Sequence, residues 1–124
     1  MNKGYEDALE RANAYIKSGA DGIMIHSKDK DTSELEKFCN EYNNFNNRKP
    51  LILVPTAYSH LTEEQLNKSF GANVVIYANH LLRSAYPSME LVAKSILKHS
   101  KSEQASNKYC MPIKEIITLI PEDY

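Results

Sequence analysis

The sequence predicts an α/β fold with a parallel sheet, because short apolar runs alternate with amphipathic helical segments along the chain. Three runs are apolar on both faces, as strands covered from both sides must be, and each is too short for a helix: 22–26, 51–54 and 72–77. Strands that alternate with helices form parallel βαβ units with right-handed crossovers. The expected order is one helix, then strand and helix three times, then a short tail.

The first helix is expected over 5–18, where apolar residues recur at spacings of three and four. These residues are Tyr5, Ala8, Leu9, Ala12, Tyr15 and Ile16. Gly19 suits the left-handed position that closes a helix. Asp21 precedes the first strand, so we expect it at the end of the sheet opposite to the carboxyl end of that strand.

The second helix should begin with a capping signal. Asp31 or Thr32 can cap it, and Glu34 can complete a capping box from Asp31. The apolar residues that follow predict one buried face, made of Leu35, Phe38, Cys39 and Tyr42. The asparagine-rich run 43–48 then ends the helix, because such residues favour turns.

The third helix carries sequence signals at both of its ends. Thr62 and Gln65 fit a capping box. Leu61 and Leu66 fit a hydrophobic staple across the first turn. Gly71 should end this helix directly before the third strand.

A long final helix is expected after the third strand. Its apolar face should consist of Leu82, Ala85, Tyr86, Met89, Ala93 and Ile96. Pro87 lies inside this pattern and should kink the helix or restart it. Residues 98–109 read as a polar, mobile linker, and Pro112 then opens a terminal helical segment. One face of that segment carries Ile113, Ile116, Ile117 and Ile120.

Three parallel strands do not complete a standard α/β architecture. A (β/α)₈ barrel has eight strands, and flavodoxin-like sheets have about five. The first helix of this chain has no strand in front of it, although such a helix normally follows one. The pattern is therefore that of the C-terminal part of a larger α/β protein.

Composition narrows the class of protein. The chain has 124 residues, of which 42% are apolar and 25% charged, as in a globular domain. A net charge of −1 gives no basic surface for nucleic acid or an anionic membrane, and no apolar run approaches a membrane span. We expect no signal peptide. Cys39 and Cys110 lie far apart in sequence, which favours reduced thiols in a cytoplasmic protein.

The residues that follow the predicted strands are the first candidates for a site, because loops at the carboxyl ends of parallel strands build active sites. His26 follows the first strand, and by itself it is equally consistent with a packing residue and with a ligand-binding group. Asn79 and His80 follow the third strand. We expect Asn79 to cap the final helix and His80 to pack in its first turn. Thr56, after the second strand, is expected to form a turn.

Other polar residues are assigned structural roles. Asp29 and Asp31 form a D-x-D pattern that resembles a Mg²⁺ site, but a helix cap and a solvated loop explain both residues. His60 and His99 lie in polar surroundings and should be exposed. The sequence contains no P-loop, no G-x-G-x-x-G motif and no nucleophile elbow.

Three sequence blocks are specific enough to indicate a family: 20–28 (ADGIMIHSK), 50–56 (PLILVPT) and 74–83 (VVIYANHLLR). Together and in this order they closely resemble phosphoenolpyruvate mutases of the isocitrate lyase/phosphoenolpyruvate mutase superfamily. The tail 111–116 (MPIKEI) is also similar to theirs. The resemblance covers nearly the whole chain.

The resemblance implies a (β/α)₈ TIM barrel whose last three strands are those predicted here. Residues 1–97 would be the partial barrel, 98–109 the linker and 110–124 a helical tail. The implied reaction interconverts phosphoenolpyruvate and 3-phosphonopyruvate, which forms the carbon–phosphorus bond of phosphonate biosynthesis. The family's Mg²⁺ ligands, lid loop and an active-site arginine would all lie upstream of residue 1. His26 is the one catalytic-site residue that the resemblance carries onto this chain, where it would bind the substrate's phosphoryl group.

The resemblance leaves other activities open. A phosphonopyruvate hydrolase or a carbon–carbon lyase of the same superfamily would show a similar pattern, and a non-catalytic module that acts only in association is a third possibility. We expect the chain alone to be inactive. For the full-length protein we expect a cytoplasmic homo-oligomer with a small-molecule substrate and with no nucleic-acid or membrane partner.

Overall fold

Residues 3–119 are the part of the chain that the computed structural model describes. They form six helices and three strands in the following order: α1 Gly4–Lys17, β1 Ile23–Ile25, α2 Ser33–Asn43, β2 Leu51–Leu53, α3 Glu63–Phe70, β3 Val74–Val75, α4 His80–His99, α5 Glu103–Tyr109 and α6 Ile113–Thr118. Contacts divide the chain into two compact units, one that ends at Ala78 and one that begins at Asn79. The predicted order of the first seven elements is confirmed.

The first unit contains a three-stranded parallel sheet with the strand order β1-β2-β3. Ile23 pairs with Leu51 and Ile25 with Leu53, so β1 and β2 are in register along their whole length. Leu53 in turn pairs with Val75 of β3. The parallel α/β fold class predicted from the sequence is therefore confirmed.

The two faces of this sheet have different environments. On one face, Ile23, Leu51 and Leu53 are buried in a core that they share with residues of α1, α2 and α3. On the other face, Met24 is 61% exposed and Val74 is 46% exposed. The sequence predicts strands covered on both sides, whereas the helices of this unit cover a single face.

The helices of the first unit pack through the residues that the periodicity predicts. α1 contributes Ala8, Ala12 and Ile16 to the core. The predicted buried face of α2 is confirmed at all four positions, Leu35, Phe38, Cys39 and Tyr42. The rings of Phe38 and Tyr42 stack with centroids 5.5 Å apart, which adds to the burial of apolar area.

The capping predictions have mixed outcomes. Thr62 and Gln65 form the predicted capping box at the start of α3. The box predicted from Asp31 to Glu34 is wrong, because α2 begins at Ser33 with Thr32 in the N-cap position. Asp31 instead accepts a hydrogen bond from the backbone N–H of Ser33 at 3.0 Å, which is an Asx turn before the helix.

A polar network fixes the end of the sheet at which the strands begin. The Tyr42 hydroxyl donates to the carbonyl oxygen of Lys49 at 2.8 Å and accepts from the Lys49 N–H at 3.1 Å. The Asn73 Oδ1 atom accepts from the Leu51 N–H at 3.0 Å and from Arg48 at 3.1 Å. These bonds satisfy backbone groups at the entry to β2 and join it to the entry of β3.

The described part of the second unit consists of three helices, α4, α5 and α6, joined by short connections. α4 continues through Pro87, so of the two outcomes predicted for this proline, a kink or a restart of the helix, the restart is excluded. The segment 98–109, predicted as a linker, contains α5, which packs against α4 and buries Ala105. α6 begins after Pro112 as predicted, but Ile120 lies outside the described residues. Among residues 3–119, no helix has the length and apolar character that crossing a membrane requires.

Gly71 provides a test of the αL position that ends α3. Its φ is +73°, and a Cβ there would collide with the side chain of Asn43, whose amide donates to the carbonyl oxygen of Phe70 at 3.2 Å. We expect Gly71→Ala to lower the free energy of unfolding by about 2 kcal/mol, because it adds backbone strain and displaces Asn43.

The matched control is Gly19→Ala. Gly19 has a φ of +97°, but nothing lies within 4 Å of its added Cβ. Only the backbone strain remains, so we expect Gly19→Ala to lower the free energy of unfolding by about 1 kcal/mol. Urea unfolding followed by circular dichroism measures both values, and equal losses for the two variants would contradict the role of Asn43.

Candidate functional site

His26 lies at the carboxyl ends of the strands, directly after the last residue of β1. Its side chain is exposed, whereas Ile25 before it packs against the core. Among residues 3–119, no side chain hydrogen bonds to the imidazole. The ring is therefore held at the rim of the sheet by its position after a strand and remains accessible to a ligand.

His26 lines an open cavity of about 440 Å³ next to the amino-terminal part of α1. Tyr5 and Ala8 of α1 form part of one wall, and Leu35 and Phe38 of α2 contribute apolar surface. This volume falls within the range of small-molecule sites. Polar groups that line a pocket, as His26 and Ser27 do here, are the groups that orient a bound ligand.

Three cationic side chains surround the same cavity: Lys3, Arg11 and Lys28. The Arg11 Nε lies 2.8 Å from Asp7 Oδ2, and this hydrogen bond raises the pKa of Arg11, so its guanidinium stays charged. The Lys3 Nζ lies 4.0 Å from the other oxygen of Asp7. Two carboxylates, of Asp29 and Glu34, also line the cavity. Asp7 thus offsets the charge of Lys3 and Arg11, and the donors to an anion that no described side chain already occupies are Lys28 and the ring of His26.

Sequence reasoning missed the cations of α1. The apolar periodicity of residues 5–18 predicts a packing helix and indicates no role for Arg11. The signal that could have found it is topological, because a helix that follows a parallel strand starts at the edge where strands end. Lys3, directly before α1, and Arg11 within it therefore line the same cavity as His26.

The two aspartates after His26 lie exposed in the loop before α2, and Asp31 does not cap the helix as predicted. The backbone N–H of Asp29 donates to Ser27 Oγ at 3.1 Å, and Asp31 forms the turn before α2. Within the described part of the chain, no group of three or more His, Cys, Asp or Glu side chains could hold a metal ion. The residues present here do not fit a Mg²⁺ site.

The other candidate residues follow the second and third strands. Thr56 is half-buried, and its N–H donates to the Val54 carbonyl at 2.9 Å, which is a tight turn after β2 at the same edge as His26. Asn79 occupies the N-cap position of α4, but its side chain makes no capping bond, so the predicted cap is wrong. Its left-handed backbone, with φ of 58°, is incompatible with the extended geometry that capping requires. His80 is exposed at the first residue of α4.

The remaining ionisable candidates are outside this site. Asp21 is exposed and precedes β1, at the opposite edge of the sheet from His26. His60 is exposed, as predicted. The ring Nδ1 of His99 lies 2.8 Å from the Ser95 carbonyl oxygen of its own helix.

Two buried groups could have been reactive but are held in their neutral forms. Burial raises the pKa of the Cys39 thiol to about 12, and burial likewise raises the pKa of the Tyr58 hydroxyl to about 12. Both side chains are fully buried in the core of the first unit. A thiol needs its thiolate form to act as a nucleophile, so Cys39 is a packing residue.

Comparison with known proteins identifies the family. The sequence pattern of the family described as phosphoenolpyruvate phosphomutase matches residues 1–97. The chain belongs to this family. Within the phosphoenolpyruvate phosphomutase family, the chain is 38% identical to the phosphoenolpyruvate phosphomutase of Tetrahymena pyriformis over 97% of its own length and 38% of that protein. It is 35% identical to the phosphonopyruvate hydrolase of Variovorax sp. (strain Pal2), over 94% of its length and 39% of that protein.

Solved structures show the same relationship for the fold. The phosphomutase from Streptomyces platensis subsp. rosaceus superposes with a TM-score of 0.77 at 27% identity, covering 94% of this chain and 39% of that one. A phosphonopyruvate hydrolase superposes with a TM-score of 0.74 at 35% identity, over 92% and 39%. The chain thus spans about two fifths of the length of these phosphomutase-family relatives, and its fold is the corresponding part of a TIM barrel.

The difference in burial between the two cysteines predicts a difference in the reactivity of their thiols. Cys39 is fully buried with a raised pKa, whereas Cys110 is free and exposed. In the native chain near pH 8, we expect a disulfide-exchange reagent to titrate one thiol rapidly, and both thiols only after unfolding. Absorbance of the released chromophore counts them. Cys110→Ser should leave no rapidly reacting thiol, and two fast thiols in the native chain would show that Cys39 is accessible.

Proposed function

We propose that this chain contributes one wall of the active site of a phosphoenolpyruvate phosphomutase, in which His26 binds the phosphoryl group. The observation that carries the proposal is the position of His26, exposed at the carboxyl end of β1 beside an open cavity that Lys28 also lines. The identity of 38% to the Tetrahymena phosphomutase supports the same assignment. The complete protein would interconvert phosphoenolpyruvate and 3-phosphonopyruvate.

The chemistry of this reaction matches what the described residues offer. The bond from phosphorus to the enol oxygen breaks, and a bond from phosphorus to the terminal carbon forms, so substrate and product are isomers and no co-reactant is consumed. Phosphoryl transfer depends mainly on positioning and on neutralising charge. The ring of His26 would donate a hydrogen bond to a phosphoryl oxygen, and the ammonium group of Lys28 at the same cavity would favour the anionic substrate.

The complete enzyme would use Mg²⁺ with ligands outside the described residues. One solved neighbour, a phosphonopyruvate hydrolase, is in complex with oxalate and Mg²⁺. Such an ion would supply charge neutralisation for an anionic substrate. Since residues 3–119 provide no cluster of metal ligands, we assign no step of the reaction to a metal held by this chain.

Phosphonopyruvate hydrolysis is the second candidate function. The 35% identity to the Variovorax hydrolase is close to the identity to the phosphomutase and supports it. In this reaction water attacks phosphorus, the carbon–phosphorus bond breaks, and pyruvate and phosphate are released. His26 would have the same role, because both reactions develop charge on the same phosphoryl oxygens.

We further propose a cytoplasmic, homo-oligomeric complete enzyme with a small-molecule substrate. The two free cysteines support a reducing compartment. The exposed isoleucines of α6 support association between subunits, since their exposed fractions are 76%, 55% and 68% at Ile113, Ile116 and Ile117.

The activity prediction compares the chain alone with the complete protein. We expect residues 1–124 to show no turnover, because this chain provides only His26 and one wall of the site. We expect His26→Ala in the complete protein to lower turnover by about 10²-fold, through loss of one donor to the phosphoryl group. The assay follows conversion of phosphonopyruvate to phosphoenolpyruvate with Mg²⁺ present, and release of pyruvate and phosphate instead would identify the hydrolase.

His60→Ala is the matched control, because His60 is an exposed histidine outside the cavity. It should leave turnover unchanged. A complete His26→Ala enzyme with the unmodified rate would remove His26 from the mechanism. Turnover by residues 1–124 alone would overturn the view that the site needs further chain.

A further inference from the structure

We propose that the hydroxyl group of Ser27 is a further donor to the substrate, and that it makes the cavity at His26 select a phosphoryl group over a carboxylate. This role rests on the proposed function, which supplies the identity of the substrate. Ser27 follows His26 directly in the chain, and it is half-buried just beyond the carboxyl end of β1. Its role is the same for a mutase and for a hydrolase, because both act on a phosphoryl group.

The first observation is that Ser27 shares one cavity with the residues on either side of it. Within a regular strand, neighbouring side chains point to opposite faces of the sheet. β1 ends at Ile25, however, and His26, Ser27 and Lys28 all line the open cavity of about 440 Å³. The chain therefore turns after the strand, and three consecutive residues present polar groups to the same space.

The second observation is the hydrogen bonding of the Ser27 hydroxyl. Its Oγ atom accepts a hydrogen bond from the backbone N–H of Asp29 at 3.1 Å. A serine hydroxyl has one proton and two lone pairs, so this bond uses only its accepting side. Among residues 3–119, no acceptor receives the Ser27 proton. A ligand in the cavity can accept that proton, and the bond from Asp29 polarises the hydroxyl and strengthens it as a donor.

The other hydroxyl groups of the segment 26–33 differ from Ser27 in this respect. Thr32 Oγ1 and Ser33 Oγ each donate to a carboxylate oxygen of the protein, at 2.7 Å and 3.1 Å. Their protons are therefore already bound by the fold itself. Within this described segment, Ser27 carries the one hydroxyl proton that no protein atom accepts, and it is also the one hydroxyl that lines the cavity.

The charges around the cavity nearly cancel, so charge alone selects weakly between anions. The three cationic side chains at the cavity are balanced by three carboxylates, two that line it and that of Asp7, which pairs with Lys3 and Arg11. An anion near such a balanced set gains little from long-range attraction. Selective binding then depends on directed hydrogen bonds, and the neutral Ser27 hydroxyl supplies one without changing the charge of the site.

The number of donors fits a phosphoryl group. The ring of His26, the hydroxyl of Ser27 and the ammonium group of Lys28 are three donors at one cavity. A phosphoryl group offers a separate oxygen to each donor, whereas a carboxylate has only two oxygens, so that one donor must share an oxygen or stay unused. Because the ammonium group attracts any anion, we assign the discrimination between the two groups to the Ser27 hydroxyl.

The experiment measures anion binding by the 124-residue chain and does not require turnover. Methylphosphonate is the phosphonate probe, and acetate is the carboxylate probe. Each is titrated into the isotope-labelled chain, and the shifts of the amide resonances of residues 26–29 give the dissociation constants. We expect Ser27→Ala to weaken the binding of methylphosphonate about tenfold and that of acetate by less than about threefold, because the lost donor serves the phosphonate oxygen.

Two further variants separate the donated proton from the turn that Ser27 forms with Asp29. Ser27→Thr keeps both the accepting oxygen and the proton, so it should bind methylphosphonate within about threefold of the unmodified chain. Ser33→Ala removes an exposed hydroxyl that donates within the protein, and it should leave the binding of both probes unchanged. Loss of the turn alone would weaken both probes alike, because the loop positions His26 and Lys28 for either anion. Circular dichroism verifies that each variant folds.

Several results would each contradict this role of Ser27: no saturable binding of methylphosphonate to the unmodified chain, unchanged methylphosphonate binding in Ser27→Ala, equal weakening of both probes in that variant, or no recovery in Ser27→Thr. The readout is binding rather than turnover. A complete protein that binds phosphonates through Ser27 but converts neither phosphonopyruvate nor phosphoenolpyruvate would therefore count against the proposed function and not against the assignment of Ser27.

Discussion

Burial of a single face of the β1-β2-β3 sheet is the interaction on which the first unit depends. Leu51 and Leu53 of the central strand are fully buried beneath the helices, and burying a leucine contributes about 1.5–3 kcal/mol. Alternation along the strands sends every second side chain to the other face, which α1, α2 and α3 cannot reach. The same register that builds the core therefore also produces the exposed row that contains Met24 and Val74.

The two ends of the strands have different roles, and the chemistry of the residues at each end explains why. At the edge where strands begin, Asn73 and Tyr42 bind backbone groups, so their polar atoms are already occupied. At the carboxyl ends of the strands, His26 lines an open cavity, and no described side chain hydrogen bonds to its ring. In α/β barrels generally, residues at the amino ends of the strands contribute to stability and residues at the carboxyl ends bind ligands.

Local signals in the sequence predicted what local interactions decide. The box of Thr62 and Gln65 and the αL residue Gly71 involve contacts within a few residues, and both were predictable. Asn79 was not, because its role depends on a left-handed backbone that an asparagine can adopt or avoid. The place of Arg11 beside His26 depends on how α1 packs against β1, which periodicity alone does not determine. α5 was missed because its seven residues are polar apart from Ala105 and Tyr109, and one buried alanine anchors it.

The candidate site and the outer edge of β1 are adjacent. The cavity that contains His26 and the cavity beside Met24 are both lined by α1 and β1. Because the carboxyl ends of parallel strands meet at one end of a sheet, a further strand paired with β1 would bring its own carboxyl end next to His26. A ligand bound at His26 would then also contact residues of that strand, so the described residues form only part of the site.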